Sequence, residues 1–591
     1  MIVLSLLPQI HLWIVRGRSW NGAYVSSQTD EPLYSAYINA LIDGRARKND
    51  PFGDRDDSSE APLPESIFSI QSLPAYLIAL PARAFSITAS TAFIVLTPVT
   101  TLLASLSIFW LLERVVGESQ FAAAGTLFVL CFGGAVGSYG LFGTHIDIPF
   151  PVLPFLRRYE PLVAFPFFFL FLLLVWRALT SQRKRDARVL ASLAGITLAV
   201  LVFSYLYLWI AAATWLMCVG LLWFCFRRTD RWKALPVLTT IGIITMIALA
   251  PYVYLLSNRA MTLDEQQILT VTHSPDLLRI HEILGAGILV ALIIGILSDK
   301  IERDEPRMLY GASLALLPFI VFNQQVLTGK TMQAFHFENY VVNYTTMVGL
   351  LITITLFWQP LSRRFLMWMA GLSLAWGVIA VGLPARLGSV PSAIARDKSI
   401  PVFMRLKELS RDDGSIRDLR TKRQTLTLVF SPEVSLTKWL PTWTSQGTLL
   451  DQTGVDCGTL TREERKEFFY MHLYYSKVEP DALNQVLNGT SDPSRDELTS
   501  APSAIFGHAR LFPELNSQFK PIQPEEIEHE VQSYQAYIDS FSRAEALKRP
   551  ITYAVIPAES NFDFTNLDRW YERDAGERVG DYTLYRLKLR D

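Results

Sequence analysis

The chain predicts a polytopic α-helical membrane bundle of about eleven spans, followed by a soluble C-terminal domain of α/β or α+β type. Three observations predict it. Of the 591 residues, 50% are hydrophobic and only 18% are charged, where a soluble enzyme of this size carries nearer a quarter charged residues. Apolar segments close to or above the roughly 20 residues that cross a bilayer core recur along the first two thirds of the chain. Beyond residue 388 the composition turns charged and mixed. A net charge of -1 leaves no basic field for nucleic acid. The four cysteines form no framework. Cys131, Cys218 and Cys225 lie in apolar segments and Cys457 stands alone, so neither structural disulfides nor a CxxC metal site is expected.

The expected spans cover residues 1–16, 85–112, 119–138, 161–178, 188–205, 207–226, 234–255, 282–298, 308–323, 337–358 and 365–384. The first is weak, since Met1 to Val15 extends only about 22 Å as a helix and Arg16 and Arg18 follow it. A clipped start or a tilted helix is expected there rather than a cleaved signal peptide, because no basic residues precede the apolar run. Short loops carrying Arg183-Lys184-Arg185, Arg227-Arg228 and Arg363-Arg364 alternate with longer loops poor in Lys and Arg. The positive-inside rule puts the basic loops in the cytoplasm, and the loops at 17–84, 139–160, 256–281 and 324–336 outside. The turn-rich stretch Asn49–Ser58 in the first outer loop is expected to be mobile.

An odd number of spans from a cytoplasmic N-terminus carries the last domain outside the membrane. The division is therefore 1–387 for the membrane domain and 388–591 for the extracytoplasmic domain. Strand-like alternation marks Thr425–Phe430, Ile551–Ile556 and Tyr582–Leu587, and helical periodicity marks Arg462–Val478. A segment of about 200 residues can bury its own core.

Chemistry concentrates in the outer loops. In the first, the acidic pair Asp30-Glu31 opens an amphipathic stretch in which Leu33, Tyr34, Tyr37, Ile38, Leu41 and Ile42 recur at helical spacing. Gly44 can close this helix in a left-handed cap. The helix is expected along the outer interface, with its rings at headgroup depth. Capping by Asp30 and a dipole effect of Glu31 explain one acidic residue, but not a pair at the mouth of a bundle. Asp30 and Glu31 are the candidate catalytic residues.

In the second loop, His145 and Asp147 stand two apart, so both point the same way from an extended segment. With Asp30 and Glu31 they could hold a divalent cation, Mg or Mn, or bind a sugar phosphate through one. A turn stabilised by Asp147 fits the spacing equally. Arg157 and Arg158 follow just before a span. They read either as snorkelling anchors or as a guanidinium clamp on a lipid phosphate. A third group comprises Gln324, Gln325, Lys330, His336 and Glu338, with Asn323, Gln333 and Asn339 among them. An interhelical hydrogen-bond network competes there with a substrate cavity in which Lys330 is a further phosphate contact. Tyr205, Tyr207 and Trp209 join two spans as interfacial aromatics, with sugar stacking the less favoured alternative. No Walker loop, GxSxG, HExxH or dinucleotide fingerprint is present.

With these motifs the chain resembles the GT-C superfamily of polytopic glycosyltransferases, which includes protein O-mannosyltransferases, the aminoarabinose lipid A transferase and the oligosaccharyltransferase catalytic subunit. The resemblance rests on Asp30-Glu31 with the helix after it, on His145-x-Asp147, on about eleven spans and on the outward C-terminal domain. His145 stands where an acidic residue is often found, which leaves metal dependence open. The resemblance implies a bacterial inner-membrane enzyme that takes a polyprenyl-phosphate-linked sugar from the bilayer. It also implies inversion at the anomeric carbon and a glycan, lipid or protein acceptor. Asp30 would then accept the acceptor proton, and Arg157, Arg158 and Lys330 would neutralise the departing phosphate. The C-terminal domain would cover the cavity or bind the acceptor. A transporter or flippase is the first rival, but it favours ionisable groups at mid-membrane in pseudo-symmetric halves. A non-enzymatic envelope assembly protein is the second, and it would tolerate Asp30→Ala.

Overall fold

The computed structural model describes residues 1–26, 30–137, 153, 157–227, 230–260, 263, 268–412, 427–450, 460–489, 501–507, 510 and 521–591. An apolar helix occupies the place of every expected span, from Ile2–Arg16 and Ala89–Val116 to Asn343–Phe357 and Arg363–Pro384. By length and composition, seven helices among the described residues suffice to cross a membrane, and Phe165–Thr180 and Pro306–Val321 are shorter apolar helices. The expected count of eleven crossings is therefore not confirmed: seven are carried by helices of sufficient length and apolarity among the described residues.

The helix Ala89–Val116 shows how the bundle is built. It opens on Thr88, whose hydroxyl accepts the Thr91 N–H at 3.2 Å, and it closes on Gly117 at φ 86°. Val95, Val99, Leu102, Leu103 and Trp110 are exposed on one side, whereas Thr97, Thr100, Ala104, Ile108 and Leu111 are buried on the other. The inward hydroxyls of Thr97 and Thr100 are satisfied by Phe93 O at 3.2 Å and Leu96 O at 2.7 Å. Small and hydroxylated residues thus face neighbouring helices and large apolar ones face outward, the pattern expected in lipid.

Helix Ile280–Leu297 packs on Pro306–Val321 through Gly285. A Cβ at Gly285 would stand 2.5 Å from the Ala315 carbonyl oxygen, while one at Gly287 would meet nothing within 4 Å. Backbone cannot retreat as a side chain can. Gly285→Ala is expected to cost about 1–3 kcal/mol and to lower the unfolding midpoint in detergent, whereas Gly287→Ala leaves it unchanged.

The helix Glu31–Ile42 differs from its expected interfacial position. Every residue from Glu31 to Leu41 is buried. Its apolar side packs with Phe68, Ala75, Ile78 and Phe93. Ser35 and Asn39 are covered by the C-terminal domain. The Ser35 hydroxyl lies 2.7 Å from Thr442 Oγ1, and Asn39 Nδ2 donates to Pro441 O at 3.1 Å and Thr444 O at 3.0 Å. The helix ends as expected, with Gly44 at φ 88°. There Arg45 N bonds Ala40 O at 3.0 Å and Gly44 N bonds Leu41 O at 3.1 Å, which satisfies its last carbonyls.

The stretch expected to be mobile is a short hairpin, Asn49–Asp50 against Arg55–Asp56. Arg45 pairs with Asp56 at 2.7 Å and Lys48 with Asp57 at 2.8 Å. Thr448 N and Thr427 N of the C-terminal domain bond Phe52 O at 2.7 Å and Asp54 Oδ2 at 3.0 Å.

The span Arg363–Pro384 runs on through Ala385–Ser389 into Val390–Asp412. The boundary expected at 387/388 therefore falls inside a continuous helical run. Beyond it, a mixed sheet has the order Gly447–Thr448, Leu428–Phe430, Ile551–Pro557, Tyr582–Leu589, Tyr571–Arg573, with Glu577–Val579 also on Tyr582–Leu589. The Leu428–Phe430 pairings are parallel and the others antiparallel. Alternation sorts its two faces. Tyr553, Val555 and Leu584 pack with Val402, Phe403 and Leu406 of the shared helix. Ala554, Ile556 and Leu587 pack with Met471, Tyr474 and Tyr475 of the helix Arg462–Tyr475. Asp397, 0% exposed, accepts from Arg16 Nε at 2.7 Å and from the N–H groups of Asn21 and Ala23 at 2.9 and 3.1 Å. This holds the segment after the first helix, and it gives the basic residue at that helix's C-terminal end a buried acidic partner.

Candidate active site

Chain direction brings the site together. The helices starting at Phe165, Leu206 and Ala334 lead away from the end of the bundle where Glu31–Ile42 lies, and the basic loops close the opposite end. At the near end, the segment just before the helix that starts at Phe165 meets the acidic pair. Arg157 Nη2 donates to Asp30 Oδ2 at 2.7 Å and to the Tyr34 hydroxyl at 3.1 Å. Arg158 Nη1 donates to Glu31 Oε2 at 3.2 Å, and its Nε donates to Thr97 Oγ1 at 2.6 Å.

The two pairs differ in access. The Asp30 side chain is 34% exposed against 3% for Arg157, whereas Glu31 is at 0% and Arg158 at 4%. Asp30 occupies the N-cap position without a capping hydrogen bond from its side chain. Its carboxylate turns to Arg157 instead, so capping alone does not account for it. Burial pushes the Glu31 carboxyl up, and the charge of Arg158 opposes that rise. The expectation that Glu31 stands with Asp30 as an accessible carboxylate is corrected by its complete burial.

Aromatic rings enclose the guanidinium groups. Arg157 lies 4.9 Å over Tyr340, while Arg158 and Arg396 lie 5.0 and 5.2 Å over Tyr24. Tyr34 stacks on Tyr159 at 4.7 Å. His336 reaches the same neighbourhood, with Nδ1 bonded to the Tyr205 hydroxyl and its ring stacked on Tyr207 at 4.3 Å. Both Tyr205 and Tyr207 are buried.

Gln324, Gln325, Lys330 and Glu338 go elsewhere. Glu338 pairs with Arg279, which also holds Asp276. Gln325 Nε2 donates to Ser274 O at 3.2 Å, Gln324 Nε2 to Lys330 O at 2.8 Å, and Asn323 Nδ2 to Glu282 Oε1 at 3.0 Å. These bonds tie the loop before Ile280 to the segment before Ala334, as the network reading expects. Lys330 stands exposed in a strand pair, Ile268–Val271 with Lys330–Met332. Its short strand and its carbonyl belong to this second network.

His145 and Asp147 lie outside the described residues. Among the described residues no group of three His, Cys, Asp or Glu side chains is arranged to hold a metal. The acidic pair does not fit a cation by itself either, since a guanidinium already stands against each carboxylate.

Sequence reading missed Glu160, Arg396 and Tyr24 as members of the site. Arg396 bonds Tyr24 O across 372 positions, a separation that carries no local pattern. Glu160 is buried, with Tyr34 bonded to its carboxyl and Arg157 and Asp30 close by. Burial, more than Asp30, pushes its carboxyl up to about 8, against the opposing charge of Arg157.

The sign follows from linkage. A carboxyl whose folded value is raised stabilises the fold fully below its unfolded value, and that contribution is lost as pH rises through the folded one. Wild type should therefore lose up to about 1.4 kcal/mol per pH unit from this group between roughly pH 4.5 and 8. Unfolding midpoints of Glu160→Gln, measured beside wild type from pH 5 to 9, should lack that component.

The fold and site together define a polytopic membrane protein with ion-paired carboxylates at one end of its bundle, against a C-terminal sheet domain. No family model matches the chain, and no curated protein matches it. Among solved structures it is similar to ArnT from Cupriavidus metallidurans in the apo state, at 12% identity over 99% of this chain and 97% of that one, with a TM-score of 0.41. It is also similar to the archaeal oligosaccharyltransferase AglB from Archaeoglobus fulgidus in complex with an inhibitory peptide and a dolichol-phosphate, at 13% identity over 97% and 72%, TM-score 0.42. A further structure of the Archaeoglobus fulgidus oligosaccharyltransferase, with Zn and sulfate, matches at 11% identity over 96% and 71%, TM-score 0.44. At these scores the likeness assigns no role to any side chain.

Proposed function

We propose that the protein is a GT-C-type membrane glycosyltransferase that moves a sugar from a polyprenyl-phosphate-linked donor to an acceptor at the outer face, with inversion. One observation carries this reading. A half-buried carboxylate, Asp30, stands 2.7 Å from a guanidinium that is otherwise sealed in aromatic rings, at the end of an apolar helical bundle. Such a pair supplies both charges that the reaction needs. Asp30 takes the proton of the acceptor nucleophile as that atom bonds to the anomeric carbon. The bond from that carbon to the phosphate oxygen breaks on the opposite face, and its electron pair leaves with the lipid phosphate. Arg157, with Arg158 behind it, stabilises the charge that develops there.

Glu31 acts in this scheme as the partner that holds Arg158, not as a base. A donor that arrives within the bilayer needs no nucleotide-binding motif. The shared helix places the C-terminal domain over Glu31–Ile42, where the domain can present an acceptor. The bonded, inward polar groups of the long helices favour this reading over a transporter, which needs titratable groups along a path between the faces.

The test is sugar transfer by the full chain in proteoliposomes, with a panel of polyprenyl-phosphate sugars and cell-envelope extract as acceptor. Stoichiometric release of polyprenyl phosphate with a glycosylated product is expected from at least one donor. Movement of the lipid-linked sugar between leaflets without product would favour the flippase.

A further inference from the structure

The geometry points to an ion-pair exchange that makes the donor bind first: its phosphate takes Arg157 from Asp30, and Asp30 acts as a base once that ion pair has parted. This rests on the glycosyltransferase reading of the same site. In the structure, Arg157 Nη2 serves both Asp30 Oδ2 at 2.7 Å and the Tyr34 hydroxyl at 3.1 Å. Its Nε is buried and has no hydrogen-bond partner among the described residues. Thus a guanidinium that is 3% exposed has spare donor capacity, and its anionic partner, at 34%, is the accessible member of the pair.

A phosphate monoester or diester brings more acceptor oxygens than one carboxylate, and it matches the planar fork of an arginine. It can engage the unused N–H and displace Asp30 in one event. While Arg157 Nη2 stands 2.7 Å from Asp30 Oδ2, that oxygen is occupied and closed to an acceptor hydroxyl. The exchange therefore ties activation of the base to the presence of a donor. Arg158 cannot substitute, because Glu31 is wholly buried against it and Thr97 holds its Nε at 2.6 Å.

Binding of undecaprenyl phosphate to the purified full chain in nanodiscs tests this without any turnover. Asp30→Asn removes the competitor for Arg157, so it should bind the lipid phosphate roughly tenfold more tightly than wild type. In an Arg157→Gln background, which itself binds weakly, the same Asp30→Asn change should give no gain. Arg157→Lys keeps the buried charge and covers the case in which Gln does not fold; there the gain should be smaller than in wild type. Uncharged polyprenol should bind wild type and Asp30→Asn alike. Absence of a gain overturns the exchange, and so does an equal gain in both backgrounds, which would be a general charge effect. Unchanged lipid-phosphate binding by Arg157→Gln would instead overturn the donor site on which the exchange rests.

Discussion

Asp30→Asn should lower sugar transfer by about a thousandfold or more while the protein stays folded and still binds the donor lipid. The substitution keeps the shape of the side chain and removes its capacity to accept a proton. Asp30 makes no side-chain cap on its helix, so the helix Glu31–Ile42 should form as before. Arg157 keeps Tyr34 and its place over Tyr340. The measurement is initial rate in proteoliposomes beside the unfolding midpoint of the same preparation. A variant with wild-type rate excludes Asp30 as the base. A variant that has lost both rate and midpoint would show that Asp30 acts in folding.

The second large effect is on stability. Glu31→Gln or Arg158→Gln alone should each cost about 3–5 kcal/mol, because each leaves an uncompensated charge in a buried site. Glu31 is at 0% exposure and Arg158 at 4%, and the arginine also bonds Thr97 at 2.6 Å. The double variant Glu31→Gln/Arg158→Gln should recover most of the loss, since it removes both charges and keeps side chains that can bond each other. Unfolding in detergent, followed by the helical signal, reads all three. Single variants as stable as wild type would mean that water reaches this pair, against its burial.

How much of this was legible beforehand depends on the range of the interactions involved. Helices such as Arg231–Ser257 and strands such as Ile551–Pro557 lie where periodicity and hydropathy put them, because both signals are local. Strands of two or three residues, such as Gly447–Thr448 and Tyr571–Arg573, are too short to show a period. Asp30, Glu31, Arg157 and Arg158 stood out by residue type at the ends of apolar runs. Their pairwise matching did not, since it depends on how two loops meet.

The spacing of Leu33, Tyr34, Tyr37, Ile38, Leu41 and Ile42 predicts one apolar face for the helix Glu31–Ile42 and leaves Ser35 and Asn39 on the other. That face is buried by the domain at the far end of the chain, where Thr442 and Thr444 answer its hydrogen bonds. The amide-rich group around Gln325 and Glu338 fits a hydrogen-bond network or a cavity lining by sequence alone, and its bonds to Ser274 and Arg279 are long-range contacts that no local pattern carries. An unmatched arginine at position 279 was the available clue.

The most direct measurement is a cryo-EM structure of the full chain in nanodiscs with undecaprenyl phosphate bound. The phosphate is expected within hydrogen-bond distance of the Arg157 guanidinium and beside Asp30, with the lipid tail leaving between the helices. A headgroup held at the end of the bundle that carries Arg183–Arg185, or one that never touches Arg157, would contradict it.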